Sequence, residues 1–218
     1  MKKVLNINKP IWLTIFSSIM LCTIGFIIVE FSYDDWFSQT LKSDDFNIDY
    51  KGGLLKPQGK SDFYQHFYDK CSNDDPVGDG FCKQLKAFRT GGLAYMSLSL
   101  FSLLFIAGSY FILMVNICKC KSLKHKFPLI MTSVLYGSGF LLHILGFIIW
   151  VFVVKVRFHE CKYDMPLKIE HDVCWENGAG FALFVNVFMF VVSFASYGFM
   201  KKLRNRSGRL ISENRSIN

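Results

Sequence analysis

The chain has 218 residues, of which 51% are hydrophobic and 19% charged, with a formal net charge of +8. The apolar residues lack the periodic spread of a soluble domain and lie in four blocks, at residues 11–31, 92–117, 128–154 and 178–200. A helix needs roughly 20 apolar residues to cross the hydrocarbon core of a bilayer, and each block is long enough. These features exclude a soluble globular domain. They predict one all-α membrane domain, residues 1–218, with four transmembrane helices.

The first block follows Lys2, Lys3 and Lys9, an arrangement that also occurs in cleaved signal peptides. Its apolar run is longer than the roughly 7–15 residues of a signal-peptide core, and no Ala-x-Ala-like cleavage site follows it. We therefore expect residues 11–31 to remain in the protein as the first helix. Cys22 lies within this helix, where we expect it to pack.

The connection between the first two blocks, residues 32–91, is the first outer loop, and it is rich in aromatic residues. Residues 46–50 alternate apolar and polar side chains, which is typical of a β-strand. Residues 52–53 (Gly-Gly) and 57–59 (Pro-Gln-Gly) indicate turns. A segment of this size is too small to fold on burial alone, so we expect it to need covalent staples and support from the helices.

Four cysteines lie in the loops predicted to face the oxidising exterior, namely Cys71, Cys82, Cys161 and Cys174. An even number of cysteines in such loops predicts disulfides, and four cysteines allow three connectivities. We favour Cys71–Cys82 and Cys161–Cys174, because residues 74–80 contain the Asp, Pro and Gly residues of a turn that would return Cys82 to Cys71. Pairing between the two loops remains open. A zinc site is the weaker interpretation, because the spacing lacks the short Cys-x-x-Cys of structural sites.

Basic residues are distributed unevenly along the chain. Thirteen lie before the first block, between the second and third, or after the fourth, together with one acid, Glu213. The remaining segments carry 12 basic residues and 16 acids. Because Lys and Arg are retained on the cytoplasmic side, both termini and residues 118–127 are predicted to be cytoplasmic. The net charge follows from this asymmetry and does not indicate nucleic-acid binding.

Two further cysteines, Cys118 and Cys120, lie at the cytoplasmic end of the second block. Their Cys-Lys-Cys spacing differs from the Cys-x-x-Cys of redox enzymes. Cysteines next to a membrane helix are candidates for S-palmitoylation, and ordinary surface cysteines are an equally good interpretation. The sequence thus offers Cys118 and Cys120 as a lipidation site.

One ionisable residue, His143, lies in the middle of the third block, where such groups are costly and often functional. A neutral, hydrogen-bonded packing histidine is the favoured interpretation. The second outer loop, residues 155–177, contains two segments, 158–161 and 173–175, that are candidate strands for a sheet formed with the first loop.

Catalytic motifs are lacking. The chain contains no His-Glu-x-x-His, phosphate-binding loop or Gly-x-Ser-x-Gly sequence. We therefore expect no enzymatic activity, no metal or other cofactor and no small-molecule substrate.

A few residues carry a family resemblance. Trp36 is followed by His-Phe-Tyr-Asp-Lys-Cys at 66–71, ten residues, Cys82, and a run at 86–89 leading into the second helix. The last helix opens with Trp-Glu-Asn-Gly-Ala-Gly-Phe at 175–181. This pattern resembles the claudin and peripheral-myelin-protein superfamily, whose first loop has a Trp, then Gly-Leu-Trp-x-x-Cys, then a second Cys. The resemblance implies a left-handed four-helix bundle with a small extracellular β-sheet of about five strands, four from the first loop and one from the second.

The same resemblance implies two classes of function at the plasma membrane. The first is cell–cell contact or barrier strands made through the outer loops by self-association. The second is an auxiliary, gamma-like subunit of an ion channel or receptor, and a small transporter that uses His143 is a third, unrelated possibility. The expected partners are the lipid bilayer and another membrane protein or a second copy. The chain ends Arg-Ser-Ile-Asn, without a hydrophobic PDZ-binding motif, which favours a claudin-like relative.

Contact residues are expected among the loop aromatics. The candidates are Trp36, Phe67, Tyr68 and Trp175. Trp36 and Trp175 lie close to helix ends, so they serve equally well in the loop's own core or in the aromatic belt of the membrane interface. Phe67 and Tyr68, directly before Cys71, are the better candidates for an exposed contact.

Overall fold

The computed structural model describes residues 9–43, 46–60, 62–69, 76–118, 129–157 and 173–215. Helices and strands are numbered separately in chain order: α1 (Lys9–Glu30), β1 (Phe37–Ser43), β2 (Phe46–Gly52), α2 (Tyr64–Asp69), α3 (Pro76–Ile117), α4 (Leu129–Val154), β3 (Val156–Arg157), β4 (Val173–Trp175) and α5 (Asn177–Arg215). The long helices α1, α3, α4 and α5 each contain a segment apolar and long enough to cross a membrane. The protein is therefore mostly helical, with four helices capable of spanning a bilayer, as the sequence predicts.

Two of the predicted helix boundaries are wrong. The second helix begins at Pro76 instead of residue 92, and the last continues to Arg215 instead of ending near residue 200. Gly91 and Gly92 lie inside α3 and do not start it. A Cβ at Gly92 would come within 1.8 Å of the Leu54 carbonyl oxygen, so these glycines allow the chain to pass closely.

The residues form two compact units by their contacts. The sheet unit comprises residues 27–100 and 143–185, and the helical unit comprises residues 1–26, 101–142 and 186–218. Each of the four long helices contributes residues to both units.

In the sheet unit, four strands pair in the order β2-β1-β4-β3. β1 pairs antiparallel with β2, from Phe37↔Gly52 to Ser43↔Phe46, and antiparallel with β4 on its other side. The two residues of β3 pair parallel with β4. The predicted strands at 46–50 and 173–175 are confirmed, whereas residues 158–161 lie outside the described residues. The expected division of four strands from the first loop and one from the second is not what the described residues form, since each loop supplies two.

The core of the sheet unit is aromatic. Trp36 is fully buried, with its ring centroid 5.1 Å from that of Tyr95 and 5.2 Å from that of Trp150. Phe37 packs on Phe88 with centroids 4.1 Å apart. Trp36 directly precedes β1, Phe37 is its first residue, and the other rings lie on α3 and α4, so these contacts attach the sheet to the helices of its own unit.

The helical unit is held by small and hydroxyl side chains as well as by apolar packing. The Thr23 and Tyr136 hydroxyls are 3.0 Å apart, and the Ser109 hydroxyl donates to the Thr132 carbonyl at 2.7 Å. A Cβ at Gly139 would lie 2.9 Å from an Ile106 side-chain carbon, so this glycine permits the helices to approach closely.

Candidate functional sites in the sheet unit

The four candidate contact residues occupy different environments. Trp36 is 0% exposed, its backbone N–H donates to the Gly52 carbonyl at 2.7 Å, and its own carbonyl accepts from the Glu176 N–H at 3.1 Å. A Cβ at Gly178 would come within 2.6 Å of the Trp36 ring. Trp36 therefore belongs to the core of the sheet unit and is not an exposed contact.

Trp175 lies on β4 and is partly buried at the edge of the aromatic core. Phe67 and Tyr68 belong to the short helix α2, and their side chains lie outside the described part of the structure. The prediction that one of these two aromatics is an exposed contact stays a prediction.

The cysteines fall into two groups. Cys82 and Cys174 are buried and disulfide-bonded, whereas Cys22 and Cys118 are free. Cys71 and Cys161, their favoured partners, lie outside the described residues, so the two pairings stay predictions.

The candidate lipidation site is also described only in part. Cys118 is exposed at the end of α3, and Cys120 lies outside the described residues. Cys22 is exposed as well, so the expectation that it packs within the protein is wrong. Its side chain is exposed on the surface of α1, where lipid rather than protein would cover it in a membrane.

A buried polar cluster joins three helices within the sheet unit. It consists of Glu30 at the end of α1, Tyr95 on α3 and His143 on α4, each 0% exposed. The Tyr95 hydroxyl donates to Glu30 Oε1 and lies 3.2 Å from His143 Nε2. His143 Nε2 is 3.4 Å from Glu30 Oε2. We call these three residues the Glu–Tyr–His cluster.

The sequence carried a signal for part of this cluster. Glu30 and His143 are the only readily ionisable side chains in the four apolar blocks, and such groups usually pair inside a membrane protein. Tyr95 carried no comparable signal. Because the acid, the phenol and the imidazole are all fully enclosed, the cluster is built to hold α1, α3 and α4 together. It offers no exposed atom to a substrate.

An open groove with a volume of about 640 Å³ lies beside the start of α5. Its walls combine aromatic rings with a carboxylate and a glycine. Its lining includes Tyr33, Trp175, Glu176, Gly180, Phe181 and Phe184. Glu176 Oε1 is 3.6 Å from Lys51 Nζ in an exposed ion pair. We call this feature the aromatic groove.

The start of α5 is hydrogen-bonded to Asp35, in the segment between α1 and β1. The Asn177 side-chain amide donates to Asp35 Oδ2 at 2.7 Å, and the Gly178 N–H donates to the Asp35 carbonyl at 2.9 Å. The bond from Gly178 satisfies one of the backbone N–H groups that would otherwise be unpaired at a helix N-terminus. The two bonds from Asn177 and Gly178 to Asp35 also fix the position of the aromatic groove. Tyr33 lies two residues before Asp35, and Trp175 lies two residues before Asn177.

The open edge of the sheet is the third feature. β2 is the terminal strand, and near its end the Gln58 N–H donates to the Lys51 carbonyl while Gly52 bridges to Pro57. Along residues 46–50, no strand among the described residues pairs with the side of β2 that faces away from β1. Edge strands of this kind are templates for pairing with another chain.

Comparison with known proteins leaves the family open. No protein-family model matches the chain, and no curated protein matches its sequence. The resemblance to the claudin superfamily stays an expectation drawn from the residues named above.

Proposed function

We propose that this protein is a multi-pass plasma-membrane protein whose sheet unit makes contacts outside the cell, either between cells or between copies in one membrane. Four helices able to span a bilayer support the membrane assignment. The excess of Lys and Arg around the termini and residues 118–127 supports cytoplasmic termini, and with them an extracellular position for the β-sheet of the sheet unit. The claudin-like pattern of Trp36, Cys71 and Cys82 favours contact or barrier formation within that class.

The observation that carries the proposal is the open edge of β2 on a firmly anchored sheet. Residues 46–50 present backbone donors and acceptors on the side away from β1, which another strand can pair with. The neighbouring strand β1 is anchored by Trp36 and Phe37 in the aromatic core, so pairing does not require the sheet to be ordered first. A second copy of the same chain supplies the same edge, as self-association requires.

Adjacent proline substitutions in β2 test this mechanism and provide their own control. In an antiparallel pair, successive N–H groups along a strand point alternately toward and away from the partner strand. Asn47 and Ile48 pair with Lys42 and Leu41 of β1, so one N–H of this pair points to β1 and the other to the open edge. Proline removes the N–H, so one substitution breaks the hairpin and the other blocks only the edge.

The expected result is that one of Asn47→Pro and Ile48→Pro is retained inside the cell. The other reaches the surface but loses mixed-cell aggregation. Co-purification from mild detergent is measured in parallel. Normal aggregation by every variant that reaches the surface contradicts the edge mechanism. The auxiliary-subunit function would be favoured by a different result. In that result even the wild type causes no aggregation, and a variant that reaches the surface no longer co-purifies with an ion channel or receptor.

The orientation is tested separately with epitope tags. A tag inserted at Gly59, in the turn after β2, is expected to stain on intact cells, because Gly59 and the residues on either side of it are exposed. Tags at either terminus are expected to stain only after permeabilisation. Staining of an N-terminal tag on intact cells would reverse the assignment of the sheet unit to the exterior.

A further inference from the structure

The aromatic groove combines the two features that recognise a quaternary ammonium ion. The rings of Tyr33 and Phe181 have centroids 5.4 Å apart at an interplanar angle of 35°, and Phe184 continues the wall with its centroid 5.9 Å from that of Phe181. Trp175 and the Glu176 carboxylate belong to the same lining. Aromatic faces around an open space attract a methylated ammonium group, and a carboxylate adds the complementary charge.

We propose that the aromatic groove binds the choline headgroup of a phospholipid from the adjacent leaflet. The position of the groove favours a lipid over a soluble cation. Tyr33 lies three residues beyond the end of the apolar segment Ile11–Glu30, and Trp175 and Glu176 directly precede the segment Asn177–Phe199. The groove therefore begins at the level where headgroups lie.

The wall that enters the membrane gives a second reason. Phe181 and Phe184 lie in the first two turns of α5, and Phe184 is 51% exposed. A lipid whose choline group sits against Trp175 and Glu176 would lay its acyl chain along these rings. A free choline ion would leave this apolar wall uncovered.

The existing ion pair does not block the site. Lys51 and Glu176 have partly exposed side chains, and such pairs are weak because water screens them. Lys51 holds Glu176 at the rim of the groove, and the choline methyl groups would take up the aromatic faces behind it. The observation that carries the proposal is the convergence of aromatic rings and one carboxylate on an open space where two membrane segments end.

The chain offers a matched pair of glycines for the test. Gly180 lines the groove, and a Cβ added there meets nothing within 4 Å, so Gly180→Leu is expected to extend its side chain into the groove. Gly198, on the same helix but outside the groove, also meets nothing within 4 Å. Gly198→Leu therefore changes composition and helix propensity by the same amount without filling the groove.

The experiment uses the full chain in nanodiscs made from equal amounts of phosphatidylcholine and phosphatidylethanolamine with identical acyl chains. Lipids that remain bound after mild detergent extraction are counted by native mass spectrometry. We expect the wild type and Gly198→Leu to retain phosphatidylcholine with a several-fold preference, because aromatic faces suit the weakly hydrated trimethylammonium group better than the hydrated primary ammonium of phosphatidylethanolamine. Gly180→Leu and Trp175→Ala are expected to lose this preference.

Glu176→Gln keeps the size of the side chain and removes its charge, so it decides the result if Gly180→Leu fails to fold by circular dichroism. We expect Glu176→Gln to retain several-fold less phosphatidylcholine than the wild type, because the carboxylate attracts the positive charge of the headgroup. We also expect soluble phosphocholine to compete for the site in the wild type. Equal retention of both phospholipids by the wild type would overturn the proposal. An unchanged amount of bound phosphatidylcholine in Glu176→Gln, or an unchanged preference in folded Gly180→Leu, would also overturn it.

Discussion

Removing only His143 from the Glu–Tyr–His cluster is expected to lower the unfolding free energy more than removing both Glu30 and His143. His143→Leu leaves the Glu30 carboxylate fully buried, without the imidazole that lies 3.4 Å from Oε2. An uncompensated buried charge typically costs about 3–5 kcal/mol of unfolding free energy. Tyr95 still donates to Oε1, which keeps the loss within this range.

The double variant Glu30→Leu/His143→Leu is expected to reverse about half of that loss. It removes the charge as well as its partner, and the remaining cost is the Tyr95 hydroxyl, which loses both of its contacts. A buried hydroxyl without a partner costs about 1–3 kcal/mol. Adding Glu30→Leu to His143→Leu is therefore expected to raise stability by about 2 kcal/mol, the difference between the two ranges.

The assay is denaturant unfolding of the purified protein in mild detergent, followed by circular dichroism and extrapolated to zero denaturant. Ser99→Ala is the control. Ser99 is buried one helical turn after Tyr95, and its hydroxyl makes no hydrogen bond within the described residues, so little change is expected. A double variant less stable than His143→Leu alone would refute the view that an uncompensated charge dominates.

Three further predictions concern the sheet unit. Gly92→Ala brings a Cβ within 1.8 Å of the Leu54 carbonyl oxygen and should cost several kcal/mol of stability. As a control, the Cβ of Gly25→Ala meets nothing within 4 Å, so this variant should be neutral or stabilised by up to about 1 kcal/mol. Melting curves in detergent compare the two variants, and equal melting temperatures would contradict the close approach. Cys82→Ser should cost about 2–4 kcal/mol and cause intracellular retention, and a free thiol at Cys82 in mature surface protein, found by non-reducing peptide mapping, would contradict this. Tyr68→Ala should reach the surface but weaken mixed-cell aggregation or partner recovery by on the order of 2 kcal/mol; unchanged results in both assays would remove Tyr68 from the contact site.

The sequence by itself determined the membrane architecture, because the thickness of a bilayer turns a local count of apolar residues into a helix prediction. Residues 11–31 and 128–154 match α1 and α4 to within two residues at each end. The strands at 46–50 and 173–175 were equally readable, since alternation and turn residues are local signals.

Only the tertiary structure decided what depends on contacts between distant residues. The sequence prediction began the second helix at residue 92, whereas Gly92 lies inside α3, where the absence of a Cβ lets the Leu54 carbonyl pass close to the helix. Trp36 could have been a contact or a core residue, and its packing against Tyr95, Trp150 and Gly178 decided for the core. The link between Glu30, Tyr95 and His143 spans 113 positions from Glu30 to His143. No local pattern specifies such a link, because the desolvation cost that pairs these groups exists only once the helices have packed.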